Sequence, residues 1–178
     1  MKENQVKKLV MAAMCVALGI VLPMVFHTIQ NAGSIFLPMH IPVLICGLLC
    51  GWQYGLICGI LAPVLSSLFT GMPPAAILPA MLCELAVYGL ITGICVYGIH
   101  TEKQIVKIYG SLITAMLAGR IVSGILKALI FNVGEYSFKI FITSSFLTGI
   151  PGILIQLIFI PVIVLALQKA GIAEPKRR

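Results

Sequence analysis

Of the 178 residues, 60% are hydrophobic and only 10% charged, with a mean hydropathy of +1.11, whereas soluble domains carry roughly a quarter charged residues, so water is not the main solvent here. A membrane span takes about 20 apolar residues, which leaves room for about five to seven spans on short loops and none for a separate soluble domain. The formal charge of +7 does not indicate nucleic acid, because the basic residues lie at the two ends and in one internal loop rather than on one face among aromatics.

In chain order the apolar stretches are 7–26, 38–51, 54–70, 75–98, 107–131 and 146–168, parted by short polar or Gly/Pro-rich joints. They predict an all-α membrane protein, a bundle of six transmembrane helices in a single domain, 1–178. The first run follows a charged start like that of a signal peptide. Its apolar part, Leu9 to Phe26, is long enough to span and no small-x-small cleavage site follows it, so it reads as a retained helix.

No charge parts the second and third runs, only Gly51-Trp52-Gln53-Tyr54-Gly55. As one helix 38–70 would run about 50 Å through a core of roughly 30 Å, so a tight turn is expected there, giving two short or tilted helices. Gly47, Gly51, Gly55 and Gly59 recur every four residues, a spacing that lets helix backbones approach closely.

With six spans, both termini and the 99–106 loop share a side carrying Lys2, Lys7, Lys8, Lys103, Lys107, Lys169, Lys176, Arg177 and Arg178. The other side carries only Lys139. Five spans would destroy that bias, so both termini are expected in the cytoplasm, in the cell membrane. The outer joints are then His27 to Leu37, Gly71-Met72-Pro73-Pro74, and Asn132 to Ser145, three loops placed to cap a pocket together.

Three ionisable residues fall inside spans: Glu84 in the fourth, Arg120 and Lys127 in the fifth. Each costs roughly 2.5–3.5 kcal/mol at a helix centre, so each requires a partner or a polar cavity. Arg120 and Lys127 stand two turns apart with Ser123 and Gly124 between them, one cationic stripe on one face. Glu84 lies at similar depth and is placed to pair with Arg120; structural pairing and ligand binding both stay open for it. If one positive charge is left uncompensated, the expected ligand is anionic; Glu135, or a lysine that gives up its proton, is the alternative way to neutralise it.

Tyr88 is one turn from Glu84, and Gln156 sits midway along the sixth span, where its amide needs a partner, in a pocket or between helices. His40 opens the second span, suited to packing or to touching a ligand; with His27 it lacks a third metal ligand, so no metal or cofactor is expected. With Asn132 at the start of the third loop, these make up the candidate substrate contacts: Arg120, Lys127, Glu84, Tyr88, His40, Gln156, Ser123 and Asn132.

Cys15, Cys46, Cys50, Cys58, Cys83 and Cys95 all lie in apolar runs without CxxC spacing and read as small buried hydrophobes. Ser66 and Ser67 lack a Gly-x-Ser-x-Gly context, a lone Glu84 is no metal-binding pair, and no phosphate loop occurs. An enzyme is not expected, and any nucleotide hydrolysis belongs to a partner.

The first span carries Ala13-x-x-x-Ala17, and the second opens with Leu37-Pro-Met-His-Ile-Pro-Val-Leu-Ile-Cys-Gly-Leu-Leu-Cys-Gly-Trp-Gln-Tyr-Gly-Leu. With six spans and this length, nearly the whole chain resembles the substrate-binding S component of an energy-coupling factor (ECF) transporter. The resemblance implies a small membrane protein that captures a vitamin or other micronutrient from outside, in a pocket closed by the first and third loops. It also implies docking on a transmembrane scaffold subunit with two ATPases, through the alanine motif, which maps to Ala13 and Ala17. The cationic stripe leans towards a carboxylate- or phosphate-bearing vitamin such as pantothenate, with riboflavin, a pyridoxine-like compound or a cobamide open.

Two other classes compete. A stand-alone secondary carrier or channel needs paired carboxylates or broken helices at the midplane, for which Pro151 and Pro161 in the sixth span are the candidates. A scaffold protein without transport would use the glycine series as its interface.

Overall fold

A computed structural model of the chain describes residues 2–26, 35–101, 103–130 and 149–172. The apolar runs form helices despite their many β-branched residues, because lipid offers backbone N–H and C=O groups no water and a helix satisfies its own. Six occur among the described residues: α1 Lys2–Phe26, α2 His40–Cys50, α3 Trp52–Thr70, α4 Leu78–Gly98, α5 Gln104–Ile130 and α6 Ile150–Lys169.

All but α2 are long and apolar enough to cross a membrane. The 11 residues of α2 reach about 16 Å, roughly half of a hydrocarbon core. Among the described residues there are therefore five helices of spanning length and one short one at the centre.

That centre explains the sequence of α2. It touches all five other helices, and every one of its residues except Ile41 is buried. A helix enclosed on all sides must be apolar all round, as Val43 to Cys50 is. The α3–α4 and α4–α5 pairs pack along most of their length, α1 closes on α2 and α3, and α6 on α2 and α5.

The chain breaks between α2 and α3 at a single residue. Gly51 adopts φ 105 and ψ 176, a conformation open to glycine and costly for a residue with a Cβ. Its N–H bonds the carbonyl of Gly47 at 3.2 Å and its carbonyl accepts from Gly55 N–H at 2.9 Å, so both helix ends remain satisfied. The four-residue glycine series then serves packing. Gly55 lies on the backbone of Gly89, Gly59 on the carbonyl of Leu85, Gly47 on Gly89 and Thr92, and Gly93 on the backbone of Trp52. The backbones of α2, α3 and α4 meet along this seam.

The outward faces carry large apolar side chains, among them Leu9, Met14, Leu18 and Val25 of α1 and Leu154, Ile158, Phe159 and Val162 of α6. Such a surface would aggregate in water and suits a lipid solvent. α6 runs unbroken through Pro161, with Pro151 in its first turn, where a missing N–H costs nothing. It ends at Gly171 with φ 69, whose N–H reaches Gln168 O at 3.2 Å while Ile172 N–H reaches Leu167 O at 3.1 Å, a Schellman closure.

The Gly71–Pro74 joint is built from local bonds. Gly71, at φ 71, donates to Ser67 O at 3.0 Å, Ser67 Oγ donates to Pro73 O at 2.9 Å, and Thr70 Oγ1 donates to Ser66 O at 2.6 Å. Residues 27–34 and 131–148 lie outside the described residues, and with them His27, Asn132, Lys139 and the expectation that three loops cap a pocket.

Candidate functional site

α2, α4 and α6 begin, and α5 finishes, at one end of the bundle, the end away from Gly51. That connectivity brings seven of the eight candidate residues into one layer, all of them buried except the half-buried Lys127. Glu84, on the second turn of α4, accepts a hydrogen bond from Tyr88 Oη at 3.2 Å. His40, the first residue of α2, holds Nε2 3.7 Å from the same carboxylate oxygen, beyond hydrogen-bond length. Its ring stands edge-on to Tyr88 with centroids 5.3 Å apart. His40 is 2% exposed, Glu84 8% and Tyr88 0%.

α5 supplies the cations. Arg120 is buried at 4% exposure, in electrostatic contact with the Tyr88 phenol. Its guanidinium lies across Gly149 at the head of α6, where an added Cβ would stand 3.1 Å from both terminal nitrogens. Lys127, half-buried two turns on, acts on Glu84. Ser123, between them, turns its hydroxyl towards that carboxylate without completing a hydrogen bond.

Gln156 joins from α6. Its Nε2 donates a long bond, 3.5 Å, to the carbonyl of Leu37, and that carbonyl also receives the His40 N–H at 3.1 Å. Leu37 itself sits at φ 51, rare for a side chain of this kind. The amide thus bridges α6 to the turn that aims His40 into the layer, and its Oε1 is buried with no hydrogen-bond partner among the described residues, as are Ser123 Oγ and both His40 ring nitrogens. Unmet polar groups of this kind cost about 1–3 kcal/mol each. Accordingly Gln156→Leu, close in volume, is expected to leave the ligand-free melting stability in detergent within about 1 kcal/mol of the parent; a collapse would assign the amide a purely structural bridge.

Three positions not singled out from sequence shape this layer. Gly119 admits the Tyr88 ring against α5, where any Cβ would intrude, Gly149 makes room for Arg120, and Gly152 lets the 35–36 backbone cross α6. Glycines in helices or at their heads were the available signal, but their neighbours are 29 to 117 residues away in sequence.

The other candidates are placed elsewhere. Ala13 and Ala17 are exposed on α1, while Ala12, Cys15 and Gly19 form its inward face, Gly19 against Ala62. Cys15, Cys46, Cys50 and Cys58 are buried, Cys83 and Cys95 partly so, all as free thiols. No cluster of potential metal ligands occurs among the described residues.

A family model described as "ECF transporter, substrate-specific component" matches residues 7–167, about nine-tenths of the chain. Comparisons with curated proteins and with solved structures find no match. The match runs from the first turns of α1 to the last of α6 and so takes in the whole helical bundle and the buried polar layer: the chain belongs to the substrate-specific components of ECF transporters.

Proposed function

We propose that this substrate-binding subunit captures an anionic vitamin or related micronutrient at the outer face of the cell membrane, with pantothenate as the type of compound that fits. One observation carries the reading: among the described residues the layer holds two basic side chains, the buried Arg120 and the half-buried Lys127, against one carboxylate, Glu84. The positive end of the α6 dipole adds to the same potential beside Arg120. A ligand carboxylate or phosphate balances that charge, and Gln156, Ser123 and His40 offer polar atoms for the rest of the molecule.

In this reading both termini face the cytoplasm, which gathers nine basic residues on that side. α2 with the 35–39 turn completes a sixth crossing, and Asn132 belongs to a third loop over the substrate. Scaffold and ATPase subunits supply the energy, as the family implies. The outward exposure of Ala13 and Ala17, four residues apart on one face, supports docking there. Ala13→Trp is expected to abolish co-purification with the scaffold subunit while leaving the ligand-induced thermal shift intact, since the bulk is added away from the polar layer.

The testing experiment is a thermal-shift screen of the detergent-purified protein against vitamins and their precursors. A ligand at about 100 times its dissociation constant adds roughly 2.7 kcal/mol of stability. A shift with anionic members of the panel supports the reading; shifts confined to neutral or cationic members overturn it. A stand-alone carrier is disfavoured by the unbroken α6 and by Glu84 being the single acid within the spans. Transport by the protein alone in liposomes would revive it.

A further inference from the structure

At the opposite end of the bundle from the polar layer lies a cavity of about 470 Å³, lined by Gln5 and Lys8 of α1, the Cys50–Tyr54 segment, and Ile94 and Tyr97 of α4. It exists because of how the chain turns. Gly51 ends α2 at φ 105, and Gly93 holds the Trp52 backbone tightly against α4. The short turn leaves the space between the last turn of α4 and the first turns of α1.

The lining has a definite chemistry. Lys8 is half-buried and, among the described residues, is the one charged side chain lining the cavity. Gln5 and Gln53 bring amide donors. Trp52 and Tyr97, 44% and 51% exposed, frame the mouth with rings, the residues that settle at a membrane–water boundary. The apolar run of α1 starts next to the cation, at Leu9. A cation with amide donors at the boundary, flanked by lipid-facing apolar helix, complements a phosphate ester whose acyl chains remain in the bilayer. The volume is in the range of sites that hold small molecules, about 300–1,000 Å³.

We propose that this cavity binds the headgroup of an anionic phospholipid, with Lys8 on the phosphate. The site is independent of the substrate reading; with both termini in the cytoplasm, as proposed above, it faces the inner leaflet. Holding a lipid here would pin α1, the helix that bears Ala13 and Ala17, to the α2–α3 turn.

The test uses the full chain in detergent, without vitamin or partner, so its failure leaves the substrate reading standing and the converse holds too. Melting is followed against dioctanoyl-phosphatidylglycerol, dioctanoyl-phosphatidylcholine and inorganic phosphate. Phosphatidylglycerol is expected to raise the melting temperature saturably, with an affinity about tenfold weaker in Lys8→Gln and unchanged in Lys169→Gln, an exposed lysine outside the cavity. Should Lys8→Gln fail to fold, Gln5→Glu, which sets a repelling carboxylate at the mouth from an exposed position, is expected to weaken binding similarly. An equal shift with phosphatidylcholine would reduce the effect to acyl chains, and one with inorganic phosphate to a free-anion site. Either result, or full affinity in both variants, overturns the proposal.

Discussion

Gly55→Ala is expected to prevent recovery of a folded protein, although it adds one methyl group to a helix that would otherwise welcome alanine. By helix propensity alone the change favours folding by about 1 kcal/mol. Against that, the new Cβ would fall inside the van der Waals envelope of the Gly89 carbonyl and press on Gly47 Cα. Those are backbone atoms, so no rotamer change relieves the contact, and α3 must separate from both α2 and α4. Overpacking that side chains can partly absorb already costs about 1–3 kcal/mol, and a backbone collision shared by three helices lies at or above the top of that range. Gly89→Ala is expected to behave alike, because the approach is mutual. Gly98→Ala is the control: nothing stands within 4 Å of a Cβ there, and its melting temperature should equal or exceed the parent's. Monodispersity on size-exclusion chromatography and thermal melting in detergent decide the matter, and a folded Gly55→Ala protein would refute the close-packed seam.

Lys127→Gln is expected to weaken binding of an anionic ligand by about 10- to 100-fold while the protein stays folded, the cost of one hydrogen bond to a charged group. Lys127 is only half-buried, so glutamine in its place retains contact with water or lipid headgroups and does not strand a group in the core. The fully buried Arg120 is a poorer probe, since its removal also leaves space around Tyr88 and Gly149. Glu84→Gln separates the roles of the acid. It keeps an oxygen for the Tyr88 hydroxyl and removes the one carboxylate that the layer holds among the described residues, so an anionic ligand is expected to bind no more weakly than to the parent. Isothermal titration on the three proteins checks both expectations. Unchanged affinity in Lys127→Gln, or a large loss in Glu84→Gln, would mean that the ligand is recognised through the carboxylate instead.

The helical class and the membrane setting were legible from composition, because a bilayer permits few structures and apolar runs near 20 residues declare the main one. The ionisable residues were legible for a related reason: a charge within such a run is costly enough that Glu84, Arg120 and Lys127 stand out without any structure. The glycine spacing announced close helix approach, though not which helix answered it; Gly89 and Gly93 lie more than 30 residues beyond Gly55.

What only the tertiary structure decided is who meets whom, and how deep each helix runs. Run length marked the second and third helices as short or tilted, but that α2 is an 11-residue helix enclosed by all five others depends on packing and not on apolarity. Local spacing placed Tyr88 beside Glu84 and Arg120 in line with Lys127. The arrival of His40 from 44 residues away and of Gln156 through the Leu37 carbonyl required the fold. The cavity around Lys8 likewise depends on Gly51 turning the chain where it does. The cost of placing a residue in lipid is a property of that residue and its sequence neighbours, whereas its partner is set by helix order and depth, which no local segment encodes.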